Sequence, residues 1–164
     1  MSGQSNGQLA YIGLGSNLDN PLQQVTDAVE DIEALPRTTV LSRSHWYRSA
    51  PVGPGTQPDY INGVVAVNTM LEPRSLLTRL QDIEAMHGRQ RTVHWGPRTL
   101  DLDILLYGKL QINTPELQIP HPHLASRNFV LYPLADLTNN LVLPDGRSLK
   151  QLLANVSAQG IVRL

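Results

Sequence analysis

Two periods of apolar and polar positions run along the chain. "LAYIGLG" (residues 9 to 15) is a short apolar run ending in Gly-Ser-Asn turn chemistry, and it predicts a first strand. Leu22, Val25, Val29, Ile32 and Leu35 then recur at helical spacing, with Asn20 placed to cap, Pro21 in the first helical position and Pro36 as the stop. "TTVLSRSHWY" (38 to 47) is rich in β-formers, whereas "RSAPVGPGTQPD" (48 to 59) carries three prolines and two glycines and predicts a long loop. "YINGVVAVNTML" returns to β-branched residues. "PRSLLTRLQDIEAMHG" places Leu76, Leu77, Leu80 and Ile83 on one helical face between Pro73 and a stop at Gly88. After a polar loop, "TLDLDILLYG" reads as a last strand.

In order these segments are strand, helix, strand, strand, helix, strand. That is a ferredoxin-like βαββαβ core of the α+β class, with a mainly antiparallel sheet and helices on one face. A C-terminal extension follows, with a short helix around 125 to 137, an Asp145-Gly146 turn and a final helix from about Ser148 to Val156. No internal repeat is visible.

With 164 residues and 41% apolar content, the chain is expected to fold as a single domain over 9–164. The polar, Gly-rich stretch "MSGQSNGQ" (1–8) is expected to be a disordered tail, neither signal peptide nor membrane span. The absence of cysteine excludes disulfides and thiolate chemistry and fits a reducing compartment, so the expected location is the cytoplasm. A net charge of −1 argues against nucleic acid as the main partner, and the expected state is a monomer without membrane attachment.

The chemistry concentrates in "HWGPRTLDLDILLYG" (94 to 108). In an extended chain Asp101, Asp103, Leu105 and Tyr107 share one face, and Leu102, Ile104 and Leu106 the other. Two carboxylates roughly 6 to 7 Å apart at the backbone, on a half-buried face, call for a bound metal, a neighbouring arginine, or both. The preceding loop, "GRQRTVHWGPR", supplies Arg89, Arg91 and Arg98, donors suited to phosphate oxygens. Carboxylates beside arginines suggest metal-bound polyphosphate.

Other motifs are weaker. "GLGSN" (13 to 17) lacks the glycine and lysine pattern of either common phosphate loop and reads as a structural turn. The "HPH" pair at 121 and 123 suits no standard zinc spacing, so a single histidine touching a phosphate is the favoured reading. Tyr60 and Asn62 pair a ring with an amide that can line the edge of a heterocycle, though a tyrosine packed on the sheet would look the same. Phe129, the one phenylalanine, carries the same two readings, and Gln81 and Glu84 read as a solvated helix face.

Taken together, "GLGSN", "YRSAPVGPGTQPDYINGV", "GRQRTVHWGPRTLDLDILLYG" and "PHPHLASRNFVLYPL", in that order, resemble the 6-hydroxymethyl-7,8-dihydropterin pyrophosphokinases of folate biosynthesis over roughly residues 10 to 147. The resemblance implies a ferredoxin-like fold and transfer of pyrophosphate from MgATP to the pterin hydroxymethyl group, giving AMP and the pterin diphosphate by attack at the β-phosphorus. It implies that Asp101 and Asp103 hold two Mg²⁺ ions, with Arg89 and Arg98 joining them in catalysis and Arg89 and Arg91 clamping phosphates. It implies further nucleotide contacts from Arg98, His121, Arg127 and Trp95, with Gln81, Glu84 and Ile104 near base and ribose. For the pterin it implies Ser49, Ala50 and Val52 through loop backbone, Asn62 through its amide, Trp95, and Tyr60 and Phe129 as stacking rings. The loops at 48 to 59 and 88 to 97 correspond to the family's lids, and His94 departs from a longer, more basic loop in some relatives.

Two alternatives come from other classes. A ferredoxin-like nucleic-acid-binding module shares the topology, but 5% aromatic content and no basic-aromatic strand motif weigh against it. A metal-dependent phosphohydrolase could use the same aspartates, and would release inorganic phosphate.

Overall fold

The computed structural model describes residues 7–18, 20–50, 59–88 and 99–164. Along the chain run β1 (Gln8–Ser16), α1 (Pro21–Glu33), β2 (Thr38–Arg43), β3 (Tyr47–Ser49), β4 (Tyr60–Thr69), α2 (Pro73–Met86) and β5 (Asp101–Tyr107). Then come β6 (Ile112–Asn113), β7 (Gln118–Ile119), a 3₁₀ turn (Leu124–Ser126), α3 (Asn128–Leu137), α4 (Leu149–Ala154) and β8 (Ile161–Arg163). A six-stranded sheet has the order β5-β1-β4-β3-β8, with β2 also paired to β4, and every named pairing in it is antiparallel. Counting β2 and β3 as one interrupted strand, the order is that of the expected βαββαβ core.

The interruption has a local cause. Ser44 is buried, donates its N–H to the Val64 carbonyl at 2.9 Å and accepts the Val64 N–H on Oγ at 2.9 Å. The Trp46 ring occupies the space beside Gly63, only 2.5 Å from where a Cβ would sit, so a larger residue there would push the ring off the sheet. The single strand expected over 38 to 47 is therefore two.

One face of the sheet is covered by α1 and α2. Val25, Ala28 and Ile32 of α1 and Leu76, Leu80 and Ile83 of α2 pack on Ala10, Ile12, Leu14, Val65, Val67 and Ile104. The helices are not confined to that face, as the core topology alone suggested. The extension lays Val130, Leu131 and Leu134 of α3, with Leu149 and Leu152 of α4, over Tyr11, Val64, Ala66, Leu105 and Leu106. Both faces of the sheet are thus buried.

Several boundaries differ from expectation for identifiable reasons. Asn20 does not cap α1 with its side chain; it adopts φ 65° and offers its carbonyl to the Gln24 N–H at 3.1 Å. "GLGSN" is no turn over its first residues, because Gly13, Gly15 and Ser16 lie within β1. The segment after Val156, where no element was read from the sequence, adds β8 to the free edge of β3. The final helix, expected over about Ser148 to Val156, is α4 at Leu149–Ala154, and Ser148 caps it in a reciprocal pair with Gln151: Gln151 N–H to Ser148 Oγ at 3.2 Å and Ser148 N–H to Gln151 Oε1 at 3.1 Å.

Candidate active site

Asp101 and Asp103 stand at the start of β5, half-buried, while Leu102 between them is in the core. In register, Asp101 faces Gly15 of β1, and Gly15 faces Asn62 of β4; Asp103 faces Gly13, and Gly13 faces Val64. Residues opposite one another in a ladder share a face, so both carboxylates and the Asn62 amide lie on the α3 side. A glycine stands between each carboxylate and the β4 residue in its row; the Leu105 side chain packs over Gly13, 3.4 Å from where a Cβ would sit, and the Asn62 amide lies beside Gly15. The close fit is specific: a Cβ on Gly15 would come within 2.8 Å of Asn62 Oδ1. Asn62 is buried and donates from Nδ2 to Ser49 Oγ at 2.9 Å, and Ser49 in turn faces Tyr60 across the β3–β4 ladder.

The alternation along β5 does not persist to Tyr107. The register shifts between Tyr11 and Ile12, whose partners are Leu106 and Ile104, leaving Leu105 as the extra residue of a bulge. Leu105 and Leu106 both pack on the α3 side, whereas Tyr107 joins the α1–α2 core and donates its hydroxyl to the Leu71 carbonyl. Asp101, Asp103 and Leu105 share a face as expected, and Tyr107 does not. Glu84 is also not solvated. It is buried at 6% exposure and its Oε2 accepts the Leu102 N–H at 2.8 Å, so it braces the backbone between the two aspartates. Gln81, one turn away, is exposed.

The β6–β7 hairpin closes the other side of β5. Its Leu117 and Ile119 are core residues, and the His121 N–H donates to the Leu105 carbonyl at 3.0 Å. Between hairpin and strand lies an open cleft of about 230 Å³ lined by Leu77, Leu102, Asp103, Ile104, Gln118 and His121, among others. Within it His121 Nδ1 accepts the His123 N–H at 3.1 Å, which leaves Nε2 as the protonated nitrogen of the neutral ring. Burial, then the Arg127 charge, then His123 push the His121 pKa down to about 4, so the ring is neutral at pH 7 and serves as an Nε2–H donor. The Arg127 guanidinium sits 5.5 Å from the centroid of the Phe129 ring, so a cation and a stacking surface adjoin at the start of α3.

The model of the family described as 7,8-dihydro-6-hydroxymethylpterin-pyrophosphokinase (HPPK) matches residues 11–139. The chain belongs to this family. A 2-amino-4-hydroxy-6-hydroxymethyldihydropteridine pyrophosphokinase of Pseudomonas aeruginosa is 51% identical over 157 residues, covering 96% of this chain and 97% of that protein. The enzyme of the same description from Haemophilus influenzae is 43% identical, over 94% and 97% of the two chains. Among solved structures, wild-type Plasmodium falciparum HPPK-DHPS with pteroate superposes with a TM-score of 0.73 at 13% identity, over 94% of this chain and 43% of that longer one. The chain is therefore an ATP-dependent diphosphotransferase of folate biosynthesis, and neither the nucleic-acid module nor the phosphohydrolase is favoured.

Of the residues singled out from sequence, the HPPK fold gathers Asp101, Asp103, Asn62, Ser49 and Tyr60 on one sheet face, with Phe129 on the helix packed over it and Arg127 at that helix's N-cap. His121 and Ile104 line the adjoining cleft with Asp103. Ala50 ends β3's run, its N–H donating to the Gly160 carbonyl at 3.4 Å. Val52, Arg89, Arg91, Trp95 and Arg98, and with them His94 and most of both lids, lie outside the described residues. Sequence reasoning missed Gly13 and Gly15 as the strand positions beside the aspartates that admit Leu105 and the Asn62 amide; their two-residue spacing was the available signal.

Proposed function

We propose that this enzyme moves the β,γ-pyrophosphoryl group of ATP to 6-hydroxymethyl-7,8-dihydropterin on the sheet face between β5 and β4. The observation that supports this site is the ladder row Asp101, Gly15, Asn62: a carboxylate at one end, an amide at the other, and a glycine between. Two hard carboxylate ligands on one face fit Mg²⁺, and Asp101 and Asp103 would hold the two ions. When bound, Mg²⁺ supplies charge neutralisation on the phosphate oxygens.

The chain's own groups do the rest. His121 Nε2–H and Arg127 donate to phosphate oxygens, joined by Arg89, Arg91 and Arg98 from the loop, with Arg89 and Arg98 aiding the transfer step. Trp95 borders both substrates, while Gln81, Glu84 and Ile104 flank base and ribose. Tyr60 and Phe129 hold the pterin ring between them, Asn62 reads its edge, and Ser49, Ala50 and Val52 contribute loop backbone. The hydroxymethyl oxygen so placed bonds to the β-phosphorus as the bond from that phosphorus to the α-phosphate oxygen breaks, and AMP departs. We place the enzyme in the cytoplasm as a monomeric single domain over 9–164, with no nucleic-acid partner; among the described residues no helix is long and apolar enough to cross a membrane.

The test is product analysis with purified protein, Mg²⁺, ATP and the reduced pterin. AMP and pterin diphosphate should appear in equal amounts. ADP or inorganic phosphate in place of AMP contradicts the assignment.

A further inference from the structure

Asn128 is the first residue of α3 and stands between Arg127 and Phe129. Its Nδ2 donates to two carbonyls of one segment, Ser157 at 2.8 Å and Gln159 at 3.1 Å. The next residue, Gly160, adopts φ +84° and accepts the Ala50 N–H on its carbonyl. The Ile161 N–H bonds back to the Ala158 carbonyl at 3.3 Å, closing the turn. From there β8 pairs with β3, Ile161 against Ser49 and Arg163 against Tyr47. A short path of hydrogen bonds therefore runs from the backbone that carries Phe129, through the Asn128 amide and Gly160, to Ser49 and hence to Asn62. It links the two sides of the proposed pterin site.

We infer that Asn128 is a positioning residue for the pterin: by holding segment 157–160 against the start of α3, it fixes the spacing between the Phe129 ring and the Ser49–Asn62 pair. This rests on the pterin site assigned above. Loss of the amide lets the start of α3, with Phe129 one residue on and Arg127 one residue before, move relative to β3. Pterin affinity falls by more than nucleotide affinity, because Phe129 and the Ser49–Asn62 pair both border the pterin whereas only Arg127 of this segment faces the phosphates.

The experiment uses the full chain and its Asn128→Ala and Asn128→Gln variants. Pterin binding is titrated with 6-hydroxymethylpterin in the presence of Mg²⁺ and α,β-methylene ATP, whose bridging carbon blocks transfer; binding of the nucleotide analogue alone, melting temperature, and steady-state KM and kcat are measured alongside. Removal of the amide's two hydrogen bonds in Asn128→Ala should raise the pterin Kd and KM about fivefold or more, with a smaller rise in nucleotide Kd and a melting temperature close to the parent's. Asn128→Gln, which keeps both donors on a longer arm, should recover part of the loss. An unchanged pterin Kd, or equal losses for both ligands with a lowered melting temperature, overturns the positioning role. Failure of the parent protein itself to bind the pterin beside the analogue would instead remove the site assignment on which the role rests.

Discussion

Gly15 shows how a missing side chain shapes the site: Asp101 and Asn62 flank it in the ladder, and a methyl group there would press on Asn62 Oδ1. Gly15→Ala should leave the protein folded and displace the amide, costing about 1 kcal/mol and raising the pterin KM roughly fivefold, as steady-state kinetics at saturating MgATP would read. Asp101→Asn and Asp103→Asn should each lower kcat at least ~100-fold with an unchanged circular dichroism spectrum, the order lost when a charge-stabilising contact in the transition state is removed. For His121 the folded pKa lies below the unfolded value, so the unfolded chain binds the extra proton; its contribution to stability is intact above pH 6.5, is lost as pH falls from there to about 4, and changes no further below. Imidazole nitrogen shifts from NMR should show an Nε2–H tautomer that persists from pH 7 to pH 5; a midpoint near the ordinary value would contradict the burial and Arg127 argument. The aspartate pair was legible because a period of two needs only the residues themselves. Tyr107 was misplaced because a bulge at Leu105 depends on the partner strand, and Glu84 because its partner, the Leu102 N–H, is distant in sequence.

At the scale of elements, α2 and β5 are locked by Glu84, and α3 and β3 by Asp136. Glu84→Ala leaves the buried Leu102 N–H without that acceptor, a loss of roughly 1 to 3 kcal/mol in urea unfolding, whereas Glu84→Gln retains a carbonyl acceptor and should lose less. Asp136 Oδ2 accepts from the His45 N–H at 3.1 Å, faces His45 Nδ1 at 3.1 Å and accepts the Tyr47 hydroxyl at 2.8 Å. Burial first, then Asp136, raises the Tyr47 pKa to about 12; the neutral phenol is favoured in the fold, so its stabilising effect holds below pH 10 and is lost as pH rises from 10 to 12. Asp136→Ala should bring that pKa down toward the ordinary value in an ultraviolet titration, while the burial contribution remains. The helices α1 and α2 were readable from their apolar stripes and their prolines. The break between β2 and β3 was not, since it depends on Ser44 and Trp46 meeting Val64 and Gly63 across the sheet, and β8 was not, since three residues that pair with an edge over a hundred positions away leave no periodic trace.

At the scale of the molecule, a ferredoxin-like sheet is covered on one face by α1 and α2 and over much of the other by the extension. The part of that second face near the C-terminal end of β1 carries Asp101, Asp103, Asn62, Ser49 and Tyr60, and the family match runs across the elements that bear them, residues 11–139. The order of elements could be read from the chain because each carries its own periodicity; the second layer could not, because which face a helix covers is decided by long-range packing. The central claim is that the bond broken in ATP is the one between the α- and β-phosphates, with the pterin oxygen as acceptor. It is tested most directly by incubating the enzyme with Mg²⁺, the reduced pterin and ATP labelled at the β-phosphate, then separating the products. The label should move into the pterin diphosphate, with unlabelled AMP released beside it; label recovered in ADP would contradict the account.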